Sequence, residues 1–344
     1  MLAAVTRLGQ SILIPAAWRG AELLRRDDAV VSLGPDDRAE LDAAVAASRA
    51  VPLDQIDRRA FPLPTLGRKL AWLQDRLEHG SGATWLRGLG DDTADEGLVA
   101  RRFWGLATHL GTPVSQSAAG ERLLQVRNRG LGADDPRRRG PHTNLRLGFH
   151  TDRCDIIAFC CVRPARAGGD NHILSSITLH NELARRHPDA VATLAEPLAY
   201  LRHTVDGGNV RPYTMVPLFT VHEGRFAASY LRILIDRADR DPAAPSLTGK
   251  QRQALARLEQ VAEDPELYAT LRLAAGDVLL LNNWVTFHRR TAFDDDPDPG
   301  QHRLLLRLWL SPPNSRALDP RFAEHFGATA AGAVRGGMRP AADG

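Results

Sequence analysis

The sequence predicts a mixed α and β fold, and three observations carry that prediction. Short apolar runs bounded by turn residues, at 155–162, 276–281 and 303–310, have the length and composition of buried strands. Segments 67–79, 100–110 and 249–262 instead space their apolar residues at helical intervals. No run reaches the roughly 18 apolar residues of a membrane span, so the 43% hydrophobic content of 344 residues can build one large core with appendages.

From the start of the chain, residues 1–50 alternate helical pattern with polar turns. The apolar stretch Ser11-Ile12-Leu13-Ile14-Pro15-Ala16-Ala17 is short, and Arg19, Arg25 and Arg26 follow it at once. That pattern reads as an amphipathic helix rather than a secretory signal. Residues 52–64 are linker-like. In 67–79, Leu70, Leu73 and Leu77 fall on one helical face. Ala83-Thr84-Trp85-Leu86-Arg87-Gly88 reads as the first strand, and 100–110 as a helix stopped by Gly111 and Pro113. A further strand is expected at 122–128 and a turn-rich loop at 134–141. Beyond the strand at 155–162 come a helix over 177–186, a hairpin over 219–229 turning at Glu223-Gly224, and the helix at 249–262. The Ala-, Gly-, Arg- and Pro-rich segment 328–344 predicts a disordered tail. There are no internal repeats.

The chemistry-bearing residues begin with Phe149-His150-Thr151-Asp152. In His-x-Asp on a β-strand, positions i and i+2 project to the same side, so His150 and Asp152 can offer an imidazole and a carboxylate to one cation. A third ligand must come from elsewhere. Two histidines and one carboxylate on one face of an octahedron leave three positions open, the arrangement of non-heme Fe(II) oxygenases. Alone, the motif is weak, because 12 His and 41 acidic residues make chance pairs common. A later block strengthens it. Gly276-Asp277-Val278-Leu279-Leu280-Leu281 reads as a turn into a buried strand, and Asn282-Asn283-Trp284 leads on to His288, 138 residues after His150. Arg303 and Arg307 then share one face of a Leu-rich strand, with heads about 13 Å apart along it. Leu305 and Trp309 lie on the same face, which argues that it is covered rather than solvated. Buried there, the two arginines require anions, and a bidentate guanidinium–carboxylate pair suits a dicarboxylate.

Composition narrows the alternatives. The net charge is only +3, no Lys/Arg run exceeds Arg137-Arg138-Arg139, and no aromatics interleave with it, so nucleic acid is not an expected partner. Nor is a membrane. Cys154, Cys160 and Cys161 are clustered and odd in number, which reads as buried reduced thiols in a cytoplasmic protein. Cys154 falls two residues past Asp152 and could face the metal side. Nearly all cations are Arg, with Lys only at 69 and 250, a usage typical of GC-rich bacterial genomes.

His150-Thr151-Asp152, the segment 276–284, His288 and the strand carrying Arg303 and Arg307 together resemble, in order and approximate spacing, the taurine dioxygenase/TfdA-like family of Fe(II)- and 2-oxoglutarate-dependent dioxygenases. The resemblance covers roughly residues 80–315. It implies a double-stranded β-helix, or jelly roll, with flanking helices and helical insertions. The expected organisation is an N-terminal helical extension at 1–64, a jelly-roll domain at 65–327 and a tail at 328–344. By position, His150, Asp152 and His288 match the catalytic iron ligands. Arg303 matches the arginine that pairs with the distal carboxylate of 2-oxoglutarate, and Arg307 a second arginine between co-substrate and substrate. Gly168-Gly169-Asp170-Asn171 matches a stretch whose last residue usually offers that carboxylate a hydroxyl. Here Asn171 offers an amide instead, and a plain turn role is equally open. The 15-residue gap from His288 to Arg303 is longer than in taurine dioxygenase itself, and the excess lies in the acidic segment 294–300.

The resemblance implies Fe(II), 2-oxoglutarate and O2, with oxidative decarboxylation to succinate and CO2 coupled to C–H oxidation of a small molecule. Hydroxylation is the expected outcome, with desaturation or cyclisation branching from the same hydrogen abstraction. Because Asp152 fills the carboxylate position, none is left for halide. Arg146 and Arg153 could join Arg307 in a pocket for a small carboxylate-bearing substrate, such as an amino acid or an intermediate of specialised biosynthesis. Trp284, Tyr230 and Arg232 are further lining candidates, and the reading leaves room for a homo-oligomer. Two rival classes use the same ligands: a non-catalytic metal-binding jelly roll, and a cupin-like isomerase or hydrolase that needs a divalent metal but no O2.

Overall fold

The computed structural model describes residues 7–90, 95–131, 140–202 and 211–338. Arg137-Arg138-Arg139, most of the 134–141 loop and 339–344 lie outside them. The chain runs β1 (Val30–Ser32), α1 (Pro35–Ala47), α2 (Leu66–His79), β2 (Ala83–Arg87), α3 (Glu96–Thr108), β3 (Thr112–Val114), β4 (Leu123–Val126), β5 (Ile156–Arg163), β6 (Ala167–Gly168), β7 (Asn171–Ser175), α4 (Ser176–Arg186) and α5 (Pro188–Leu194). It continues through β8 (Pro197–Leu201), β9 (Tyr213–Pro217), β10 (Phe219–His222), β11 (Arg225–Ala228), α6 (Arg232–Arg240), α7 (Gly249–Ala262), β12 (Tyr268–Leu271), β13 (Val278–Asn282), β14 (Thr286–Arg290), β15 (Phe293–Asp294), β16 (Leu304–Ser311) and α8 (Ala323–Phe326).

The mixed α and β prediction holds, and the strand alternation explains the layering. A seven-stranded sheet has the order β1-β2-β13-β5-β16-β3, with β4 also paired to β16, and a three-stranded sheet has the order β12-β7-β14. Even members of β5, β13 and β16, including Ile156, Cys160, Leu280, Leu306 and Leu308, pack outward with Leu70, Leu73 and Leu77 of α2 and Phe103 of α3. Odd members, including Ile157, Phe159, Leu281, Leu305 and Trp309, face inward and meet Ile173, Ala269 and Leu271 of the smaller sheet. The far side of the smaller sheet is covered by apolar residues of α4, α5, α6 and α7. One residue period therefore sorts each strand between an outer helical layer and the space between the sheets.

Local signals set several ends. Thr248 and Gln251 form a capping box for α7, and the Ser175 hydroxyl accepts the Thr178 N–H at the start of α4. The β10–β11 hairpin turns through Glu223 and Gly224 at φ 47° and 70°, the positive-φ pair that a two-residue turn requires.

Two expectations fail. Residues 52–64 are a packed strap: Phe61 is fully buried against Gly105 of α3, and the Ile56 carbonyl accepts the Trp104 Nε1–H at 3.0 Å. The described part of the tail, 328–338, is ordered on the core. Arg335 is buried and ion-paired with Asp155 at 2.7 Å, and Gly336 and Gly337, at φ 76° and 70°, bring the backbone against Arg153 and Ser115. Composition suggested disorder there, but a buried ion pair and two backbone contacts supply the anchoring that composition cannot register. No helix among the described residues is long and apolar enough to cross a membrane.

Candidate functional site

His150, Asp152 and His288 converge, each offering one ligand atom within 4.8 Å of the other two. The convergence is built by backbone. His150 and His288 exchange both N–H···O=C bonds at 3.0 Å, an isolated bridge that places their rings 4.4 Å apart. The His150 Nδ1–H donates to the Gly148 carbonyl at 2.9 Å, a bond that selects the tautomer with Nε2 free as a ligand. The Asp152 N–H donates to Asn283 Oδ1 at 3.2 Å, and Asn283 Nδ2 donates in turn to the Cys154 carbonyl, tying the motif to the β13–β14 turn. Asp152 Oδ2 then stands 3.7 Å from His288 Nε2 and 3.5 Å from Arg307 Nη1.

The electrostatics suit a ligand set. Burial, followed by the charges of His150 and Arg307, pushes the His288 imidazole down to about 3 against the opposing pull of Asp152. It is therefore neutral, with a lone pair to give, across ordinary pH. Its Nδ1 is buried without a hydrogen-bond partner. Two imidazoles and a carboxylate at this spacing fit a divalent first-row metal.

These groups line one end of a cavity of about 480 Å³ that also includes Arg146, Phe159, Asn171, Arg232, Arg289, Arg290, Arg303 and Arg307. Arg303 is 3% exposed, and its guanidinium makes no hydrogen bond and no ion pair among the described residues. Burial pushes its pKa down to about 10. Gly169 lies beside it at φ 73°, where a Cβ would come within 3.3 Å of Arg303 Nε, so the turn serves close approach as well as chain reversal. Arg307 is held differently. Its Nε donates to Gln116 Oε1 at 2.6 Å, while Gln116 Nε2 donates to the Arg307 and Arg122 carbonyls at 2.8 and 2.7 Å.

Gln116 carries no motif and went unpredicted; only its contact across 191 positions reveals it. Replacing it by Leu would remove the acceptor of Arg307 Nε and the donor to the Arg307 and Arg122 carbonyls. We expect a loss of roughly 3 kcal/mol in denaturant midpoint measurements, together with weaker binding at Arg307.

The other expected site residues divide. Arg146 lines the cavity and is half-exposed, sharing Glu263 with Arg289 at 2.6 and 2.5 Å. Arg232 also lines it, bridging Asp236 and Glu259. Asn171 lines it opposite Arg290 in the β7–β14 register. Arg153 does not: it lines a separate cavity of about 60 Å³ that shares only Asp152 and Leu231 with the larger one, and its Nε donates to the His325 carbonyl. Trp284 is buried in the core against Phe322 and Phe326, with its Nε1–H donating to Asp155 at 2.7 Å. Tyr230 is buried too, its hydroxyl bonded to Glu259. Cys154 turns into the core, where burial keeps it a thiol.

The family described as "Taurine catabolism dioxygenase TauD, TfdA family" matches residues 49–309. FR-33289 synthase of Streptomyces rubellomurinus is 30% identical, over 90% of this chain and 93% of that protein. The taurine hydroxylase-like protein SAT17 of Stachybotrys chartarum is 28% identical, over 89% and 83%. In fold, the chain is similar to asparagine oxygenase solved with Fe(II), 3-hydroxyasparagine and succinate, at TM-score 0.64 and 20% identity over 82% of this chain and 93% of that one. The chain belongs to the TauD/TfdA family of Fe(II)- and 2-oxoglutarate-dependent dioxygenases.

Proposed function

We propose that this enzyme couples oxidative decarboxylation of 2-oxoglutarate to C–H oxidation, most simply hydroxylation, of a small carboxylate-bearing substrate. The single observation that carries the reading is Arg303. A buried guanidinium that makes no hydrogen bond or ion pair among the described residues costs several kcal/mol, and it lines the same cavity as His150, Asp152 and His288. A dicarboxylate with one end on the metal and the other on Arg303 satisfies both.

In this reading the seven- and three-stranded sheets are the two faces of a double-stranded β-helix, supported by the inward residues that both contribute to one interior cluster. Residues 65–327 form the catalytic domain with 1–64 as an extension packed on it, working in the cytoplasm. His150, Asp152 and His288 would hold Fe(II), which when bound supplies the activation of O2. Gly148 and Asn283 fix the first two ligands in position. Arg303 binds the distal carboxylate of 2-oxoglutarate, with Asn171 beside it offering an amide N–H. Arg307, locked by Gln116, stands 3.5 Å from Asp152 Oδ2 and offers its remaining donors to the substrate side. Phe159, its ring 5.7 Å from that of His288, and Leu305 give the same cavity apolar lining.

The substrate reading rests on the cationic lining of a cavity sized for a small molecule. Arg146→Ala removes only an exposed ion pair, so stability should change by less than about 0.5 kcal/mol, while substrate affinity should fall roughly tenfold. Undiminished affinity by isothermal titration would take Arg146 out of the pocket. For the reaction itself, protein with Fe(II) and 2-oxoglutarate under anaerobic conditions should show a weak visible charge-transfer band. Admitting O2 with a panel of amino acids should release succinate. Turnover of any panel member without O2 would contradict the proposal.

A further inference from the structure

We propose that Arg290 is a second guanidinium for the distal carboxylate of 2-oxoglutarate, acting beside Arg303. The proposal rests on the reading of the cavity given above and adds a residue to it.

Arg290 ends β14 two residues after His288, so strand alternation turns both side chains to the same face. It is 5% exposed and lines the same cavity. Arg290 and Arg303 both lie over the Phe293 ring, at 4.7 and 4.9 Å from its centroid, and the shared ring makes the two guanidinium groups near neighbours. Neither has a carboxylate within ion-pair distance among the described residues. Arg290 spends Nε on the Thr291 carbonyl at 3.2 Å and Nη2 on the Thr143 and Leu145 carbonyls at 2.8 and 2.5 Å. Those neutral acceptors orient the group without neutralising it, and its Nη1 makes no hydrogen bond among the described residues.

Two buried like charges side by side are a costly arrangement unless an anion joins them. A carboxylate can accept about four hydrogen bonds, and one guanidinium fills only two of those positions. Asn171 stands directly across from Arg290 in the β7–β14 register. It is the position where a hydroxyl was expected, so Arg290 supplies the donor, and a charge, on the side where that hydroxyl is missing.

The test is an anaerobic titration of the Fe(II)-loaded protein with 2-oxoglutarate, read by the charge-transfer band, in wild type, Arg290→Gln and Arg290→Lys. A parallel titration uses 2-oxopentanoate, which keeps the 2-oxo acid end and finishes in a methyl group. We expect Arg290→Gln to weaken 2-oxoglutarate by about ten- to a hundredfold, the loss of one charge-assisted hydrogen bond. Arg290→Lys should weaken it less, and 2-oxopentanoate should bind all three proteins alike. Unchanged 2-oxoglutarate affinity in Arg290→Gln, or an equal loss for both ligands, would overturn the assignment and leave Arg290 as a tether for residues 143–145. Should Arg290→Gln fail to fold by circular dichroism, Arg290→Lys decides alone by the same contrast between ligands. A wild-type protein that gives no band with 2-oxoglutarate would instead strike the oxygenase reading itself.

Discussion

Arg303→Met should raise the thermal midpoint of the ligand-free protein by a few degrees while weakening 2-oxoglutarate by about 30- to 4000-fold. The two effects have opposite signs for one reason. Without co-substrate, Arg303 is a buried cation whose guanidinium has no carboxylate within ion-pair distance among the described residues, and its removal relieves a desolvation cost of order 1–4 kcal/mol. With co-substrate, the same removal leaves a carboxylate buried and unmatched, worth about 2–5 kcal/mol. Differential scanning with and without saturating 2-oxoglutarate separates the terms. Wild type should gain stability on adding it, as any ligand of the folded state requires, and the variant should gain almost none. A variant destabilised in the absence of ligand would show that Arg303 has a structural partner.

His288→Ala should abolish the charge-transfer band and cut 2-oxoglutarate turnover by well over the 10- to 100-fold that losing a mere supporting contact costs. Fold stability should suffer little. Among the described residues the His288 side chain makes no hydrogen bond, and the backbone bridge to His150 is independent of the side chain. The measurement pairs anaerobic absorbance with a thermal scan of the metal-free variant. Retention of the band would exclude His288 as a ligand. Collapse of the fold would mean that its ring works chiefly as a packing group against Phe159. Because burial already holds the imidazole down to about 3, acidification from pH 8 to 6 should not protonate it, and metal loss in that range would have to arise elsewhere.

The part of the site legible in the sequence was the part with a period or a motif. His-x-Asp needs only the two-residue repeat of an extended chain, and Arg303 with Arg307 needs only the same repeat along β16 and the residue that precedes it. Gln116, Asn283 and Gly148 act through contacts with residues far away or through a backbone carbonyl, and neither leaves a local pattern. Arg290 was visible beside His288, but its burial depends on Phe293 and on the 143–145 backbone. Trp284 and Arg153 lie near the motif in sequence but do not line the larger cavity. Asp155 captures the Trp284 indole and the His325 carbonyl captures Arg153, and both partners are set by tertiary packing. In the fold, long amphipathic helices such as α2 and apolar strands such as β5 were readable. Short strands at 30–32, 197–201 and 213–217 were not, since three to five residues give too little periodicity.

The ion pair between Asp155 and Arg335 spans 180 positions, and Asp155 lies just three residues beyond Asp152. A ribosome delivers the His150–Asp152 segment long before the cation that neutralises its base. Until that cation arrives, the nascent loop must keep Asp155 hydrated or protonated, and the sheet behind it cannot close dry. Dry closure beneath the candidate metal pocket therefore waits on a segment made 180 positions later, a latch of high contact order.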